Sequence, residues 1–189
     1  MLDYAEESFW KGFWTGFEEE TKELEDKKGF SYYLPKEEQI RAALYAYMRK
    51  CGGCVEVESD FKEKETDKVK GEADLRVLGD DAFLLVEIKR TWEVHLVDWS
   101  NKYGEHLASW KADLQKLEDM AAQQQHKPIH KCFFLVVFFD DSNKLFKKVR
   151  IEEMANHVQE KWGSSTIRFE LDEFKFGKKF CRGYVWVKK

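Results

Sequence analysis

Proline is nearly missing from this chain, with two in 189 residues. So little of it, beside 43% hydrophobic and 36% charged residues, excludes a disordered chain and marks a globular one. Long apolar runs are missing too, so no segment is expected to span a bilayer and no membrane is expected among its partners. The start, "MLDYAEESFWKGFW", lacks the basic opening and apolar centre of a secretion signal, which makes the cytoplasm the expected location. An excess of one charge is also absent: the net charge is −4 and the isoelectric point about 5.8. Such a chain has no global attraction to phosphate, so any nucleic-acid surface must be a local patch. There is no P-loop, no GxSxG elbow, no internal repeat, no low-complexity segment and no interdomain linker.

Cysteine is scarce as well. Of the four, Cys51 and Cys54 form a CxxC, while Cys132 and Cys181 stand alone, too few ligands for a zinc or iron–sulfur site. His126 and His130 lie four apart but have Pro128 between them, which breaks a helical zinc pair. "RKCGGCVEV" sits where a helix should end, and Gly52 and Gly53 are natural cap and turn residues before a strand. A thioredoxin-like pair would instead open a helix. The expectation is a glycine turn flanked by reduced cysteines.

What is present is a strong pattern of elements. Phe9, Trp10, Phe13, Trp14 and Phe17 recur at helical spacing within residues 5–27 and are expected to pack on the core. A second helix follows Pro35 with Ile40, Leu44, Tyr47 and Met48 on one face. Strands are expected at 54–61, 71–78 and 82–89, the last two joined by the tight turn "GDD", with a solvated loop between the first two. A long helix over 99–123 carries Trp99, Tyr103, Leu107, Trp110, Leu114 and Leu117. "KCFFLVVFFDD" reads as the central strand, followed by a helix at 151–162 and strands in "IRFELDEF" and "RGYVWVKK". The order α, α, β, β, β, α, β, α, β, β predicts an α/β architecture, a mixed sheet flanked by helices on both faces.

One strand breaks its own pattern. "AFLLVEIKRTW" begins as a buried strand, yet Glu87 and Lys89 project from the same face as Phe83 and Leu85. Asp74, on the preceding strand, should meet Glu87 across an antiparallel hairpin. Two adjoining carboxylates repel and lose solvation unless a cation joins them. A hard divalent ion such as Mg2+ removes that cost, and Lys89 beside it would favour an attacking water or the charge building on phosphate oxygens. The competing interpretation is an ion pair of Glu87 with Lys89 or Arg76.

Asp74, twelve residues, then Glu87-Ile88-Lys89 resembles the PD-(D/E)xK nuclease superfamily, the restriction endonuclease-like fold. The resemblance extends from about residue 35 onward, because the α-β-β-β-α-β order is similar too. It implies a nuclease domain over 35–189 with residues 1–34 as an aromatic and acidic helical extension. It also implies Asp74 and Glu87 as ligands of Mg2+, with Mn2+ as a substitute, the backbone carbonyl of Ile88 as a third ligand, and Lys89 as the catalytic lysine. The helix before the first strand supplies another acid in that family; here Glu37 or Glu38 is the candidate, and Glu37 shares a face with Ile40, Leu44 and Met48. Ala73 stands where the family has proline, and its downstream glutamine–tyrosine signature is not recognisable in "WSNKYGEHLASWKADLQKL". Lys102, His106, Asp113 and Lys116 of that helix read as solvated residues without a role. The implied activity is metal-dependent hydrolysis of phosphodiester bonds, with DNA as the expected partner and a homodimer or partner subunit as an option. The alternative is a nuclease-fold binding or regulatory protein that does not cut, or a subunit of a larger nucleic-acid-processing or defence assembly.

Overall fold

Apolar residues alternate or recur at helical spacing, and the chain folds accordingly. The computed structural model describes residues 3–28, 35–62, 69–92, 102–122, 127–139, 144–176 and 179–189. The order of elements is α1 (Glu7–Lys28), α2 (Glu37–Lys50), β1 (Cys54–Lys62), β2 (Val69–Leu78), β3 (Phe83–Trp92), α3 (Lys102–Ala122), β4 (Ile129–Phe139), α4 (Lys144–Trp162), β5 (Ile167–Glu170), β6 (Phe174–Phe176) and β7 (Lys179–Lys188). This is a mixed α+β fold, with four helices and a seven-stranded sheet among the described residues.

Three expectations need correction. β3 runs on to Trp92, beyond Lys89. α4 begins at Lys144 rather than 151, because its first turns, "KLFKKVR", carry too much charge to show an apolar stripe. "IRFELDEF" is divided between β5 and β6, whose registers on β7 differ by one residue. Trp99 and most of the loop after β1 lie outside the described residues.

The sheet order is β1-β2-β3-β4-β7-β5, with β6 also paired to β7. Among the described strands only β3 and β4 run parallel, over Phe83↔Ile129 to Trp92↔Phe138, and α3 lies in the crossover between them. β4 is central, and all of Cys132 to Phe139 is buried.

Strand parity sorts the core into two layers. Leu84, Val86, Ile88, Cys132, Phe134, Val136 and Val185 face α1 and α2, where Trp10, Phe13, Trp14, Ile40, Leu44 and Met48 cover them. Leu85, Phe133, Leu135, Val137 and Trp186 face α3 and α4, against Trp110, Leu114, Leu117, Met154 and Trp162. The aromatic stripe of α1 is therefore core. Phe134 alone meets Trp10, Phe13 and Trp14 with ring centroids 5.9, 5.7 and 6.1 Å away. Gly183 of β7 makes this seating possible: a Cβ there would lie 2.8 Å from Leu171 and 3.1 Å from Trp14.

The CxxC segment forms a helix end. Cys51 caps α2, Gly52 takes the left-handed conformation at φ 86°, and all four cysteines are free. No described helix is long and apolar enough to cross a membrane.

Candidate functional site

The site begins where two strands part. β2 and β3 pair from Leu78↔Phe83 to Leu75↔Val86, closed at the turn by the Gly79 N–H donating to the Ala82 carbonyl at 3.1 Å. Beyond Leu75 and Val86, β2 stays paired to β1 and β3 to β4, but not to each other. Backbone N–H groups on the freed edge of β3 then need acceptors. Asp74, at the parting point, takes the Ile88 N–H on Oδ2 at 2.7 Å. Glu37, in the first turn of α2, takes the backbone N–H of Arg90. The Arg90 guanidinium in turn donates to the Pro35 carbonyl at 2.8 Å, tying the start of α2 to this edge. An extended residue sends its N–H and C=O to the same side, so the Ile88 carbonyl opens into the same gap.

Glu87 lies at the centre. It is 2% exposed, the one charged residue in the buried set among those described. Lys89 Nζ is 2.8 Å from its Oε1 and Lys116 Nζ is 2.7 Å from its Oε2. Lys89 also approaches Asp113 Oδ2 at 3.3 Å and Glu37 Oε1 at 3.8 Å. Arg41, one turn along α2 from Glu37, reaches Asp74 Oδ1 at 3.4 Å. The sequence-derived residues Glu37, Asp74, Glu87 and Lys89 thus come together from three elements. Arg76, the other candidate partner of Glu87, is directed instead to Glu56 at 3.6 Å and over the Phe83 ring.

Two further site residues were misread in the sequence as solvated: Asp113 and Lys116 of α3. They flank Leu114 and Leu117, so their position beside the buried stripe was legible, but which edge of that stripe meets β3 was not. His106 packs near Trp110 instead, and the side chain of Lys102 lies outside the described residues.

The electrostatics are those of a crowded, partly desolvated site. Burial, and then the charge of Asp74, push the Glu87 carboxyl up to about 7 against the pull of both lysines. Burial raises Glu37 as well, helped by Asp74 and opposed by Lys89. Burial alone would lower Lys89, but Glu87, Asp113 and Glu37 outweigh it and hold the ammonium charged well above its ordinary value. Asp113 Oδ2 is buried and accepts no hydrogen bond among the described residues.

The cluster sets four carboxylates, Glu37, Asp74, Glu87 and Asp113, against three cations, Lys89, Lys116 and Arg41, and that excess of negative charge suits a hard cation. Among the described residues no three Asp, Glu, His or Cys side chains converge closely enough to enclose an ion. Mg2+ does not require such a cage, since one or two carboxylates suffice when water and phosphate oxygens complete its shell. Asp74, Glu87 and the Ile88 carbonyl fit that pattern. Against protein families, curated proteins and solved structures alike, the chain has no match.

Proposed function

We propose that the chain is a Mg2+-dependent nuclease of the restriction endonuclease-like type, hydrolysing phosphodiester bonds in DNA. The observation that supports it best is the convergence of Asp74, buried Glu87 and Lys89 where β2 leaves β3, with Glu37 beside them. Asp74, Glu87 and the Ile88 carbonyl would hold the ion, which when bound would draw electron density from a phosphate and acidify a water. Lys89 keeps its charge at any working pH and stands ready to neutralise an oxygen on the attacked phosphorus. Glu37 holds the end of β3 through the Arg90 N–H and orients Lys89. Arg41 steadies Asp74. The overall negative charge leaves DNA binding to this local cluster or to a second subunit.

A second reading has its own observation. Each carboxylate here already has an N–H or ammonium partner, which is how a non-cutting ion-pair network would look. Incubation with plasmid, linear duplex, single-stranded DNA and RNA, in Mg2+, Mn2+ or EDTA, separates the two. The nuclease reading expects metal-dependent cleavage that Glu87→Ala and Lys89→Ala abolish. It also expects Mg2+ to stabilise the parent by about 2.7 kcal/mol at a hundredfold excess over its dissociation constant. Absence of cleavage with every substrate, together with no Mg2+ shift in melting, decides for the network.

A further inference from the structure

Glu87 offers two oxygens, and each holds one ammonium: Lys89 on Oε1 and Lys116 on Oε2. Two unit positive charges on a buried carboxylate equal the charge of one divalent ion. The two lysines are not equivalent. Lys89 rises from a strand and lies among Glu87, Asp113 and Glu37, three carboxylates that fix it. Lys116 comes from α3 on a long stem, with Glu87 at 2.7 Å and Asp113 at 3.6 Å as its acidic neighbours. Its side chain remains 24% exposed, so it has an exit to solvent.

We infer that Lys116 is a resident counter-cation, which holds the second oxygen of Glu87 until a divalent ion takes its place and then turns its ammonium to a phosphate oxygen of the substrate. The inference rests on the metal reading proposed above. It gives the buried, doubly acidic strand junction a source of positive charge from within the chain. It also makes Lys116 a competitor of metal and a helper of substrate, two roles with opposite signs.

Those signs give the test. Lys116→Met keeps the stem and removes the charge. Mg2+ binding is measured by calorimetry on the protein alone, without nucleic acid, and cleavage of duplex DNA is measured separately. Removing a positive charge a few ångströms from the metal position should tighten Mg2+ binding by about tenfold or more, while cleavage slows. Lys116→Arg, whose fork grips a carboxylate more firmly, should weaken Mg2+ binding instead. Lys111→Met, at an exposed position of the same helix, should leave Mg2+ affinity within about twofold of the parent. Unchanged or weaker Mg2+ binding in Lys116→Met overturns the inference while leaving the nuclease reading intact; so does cleavage that rises together with metal affinity. A parent that binds no Mg2+ overturns both. If Lys116→Met does not fold, the sign of the Lys116→Arg change decides.

Discussion

On the side of the sheet covered by α1 and α2, both α1 indoles donate to carbonyls, Trp10 to Tyr4 at 2.7 Å and Trp14 to Asp172 at 2.6 Å. On the side covered by α3 and α4, the indole N–H groups of Trp162 and Trp186 are buried without an acceptor among the described residues, and Asp113 Oδ2 is buried without a hydrogen-bond donor there, with the Lys89 ammonium 3.3 Å away. The first layer is closed: aromatic rings interlock around Phe134 and both indoles of α1 are satisfied. The second layer carries Glu87, Lys89, Asp113 and Lys116 at one end of its apolar contacts. Buried polar groups left short of partners cost about 1–3 kcal/mol each. Both layers bury an apolar core, but the desolvated charges lie at one end of the second alone, so packing and charge can be perturbed separately.

The largest blow to this division should come from the closed layer. Trp10→Ala removes a fully buried ring and is expected to cost about 3–5 kcal/mol in denaturant unfolding. On the nuclease proposal, cleavage per folded molecule should stay near the parent value. If cleavage falls as far as stability does, the layers are not separable.

Next in size is a pH effect confined to the charged layer. The Glu87 carboxyl titrates near 7 when folded against an ordinary 4.5, so between these values the folded chain binds more protons than the unfolded one. Stability from this group therefore falls as pH rises from about 4.5 to about 7, on the order of 2–3 kcal/mol across the window. The difference between parent and Glu87→Gln unfolding free energies, followed from pH 4.5 to 7.5, measures it. A flat difference would mean that the two lysines keep Glu87 ionised throughout.

Smaller again is the cost of the parting strands. Asp74→Ala leaves the Ile88 N–H without its acceptor and should cost about 1–3 kcal/mol. Asp74→Asn retains an oxygen for that N–H and should recover most of the loss in thermal melts, while the nuclease proposal expects it to abolish cleavage. If Asn is as damaging as Ala, the charge toward Arg41 matters more than the backbone bond.

The smallest effect probes how tightly α1 is seated. A Cβ at Gly16 would meet nothing within 4 Å, so Gly16→Ala should stabilise by roughly 0.5–1 kcal/mol from helix propensity alone. A Cβ at Gly12 would come 2.4 Å from the Tyr47 hydroxyl oxygen, so Gly12→Ala should forfeit that gain as Tyr47 yields. Equal gains at both positions would show α1 to be loosely held.

Much of this was legible in the sequence, because it depends on local periodicity. The α1 stripe, the apolar run of β4 and the odd placement of Glu87 and Lys89 with Leu85 all follow from where a side chain must point in a helix or strand. The short turn at residues 79–81 was enough to set the register that carries Asp74 toward Glu87, although the ladder ends one pair earlier, at Leu75↔Val86. Only the tertiary structure decided the rest. Beyond Leu75 and Val86, β2 follows β1 while β3 follows β4, and that departure exposes the N–H groups that Asp74 and Glu37 accept. Likewise, Asp113 and Lys116 carry no mark that separates them from other charged residues of α3. They join the site because the crossover lays that helix over Glu87, a contact between residues 29 apart whose energy no local pattern contains.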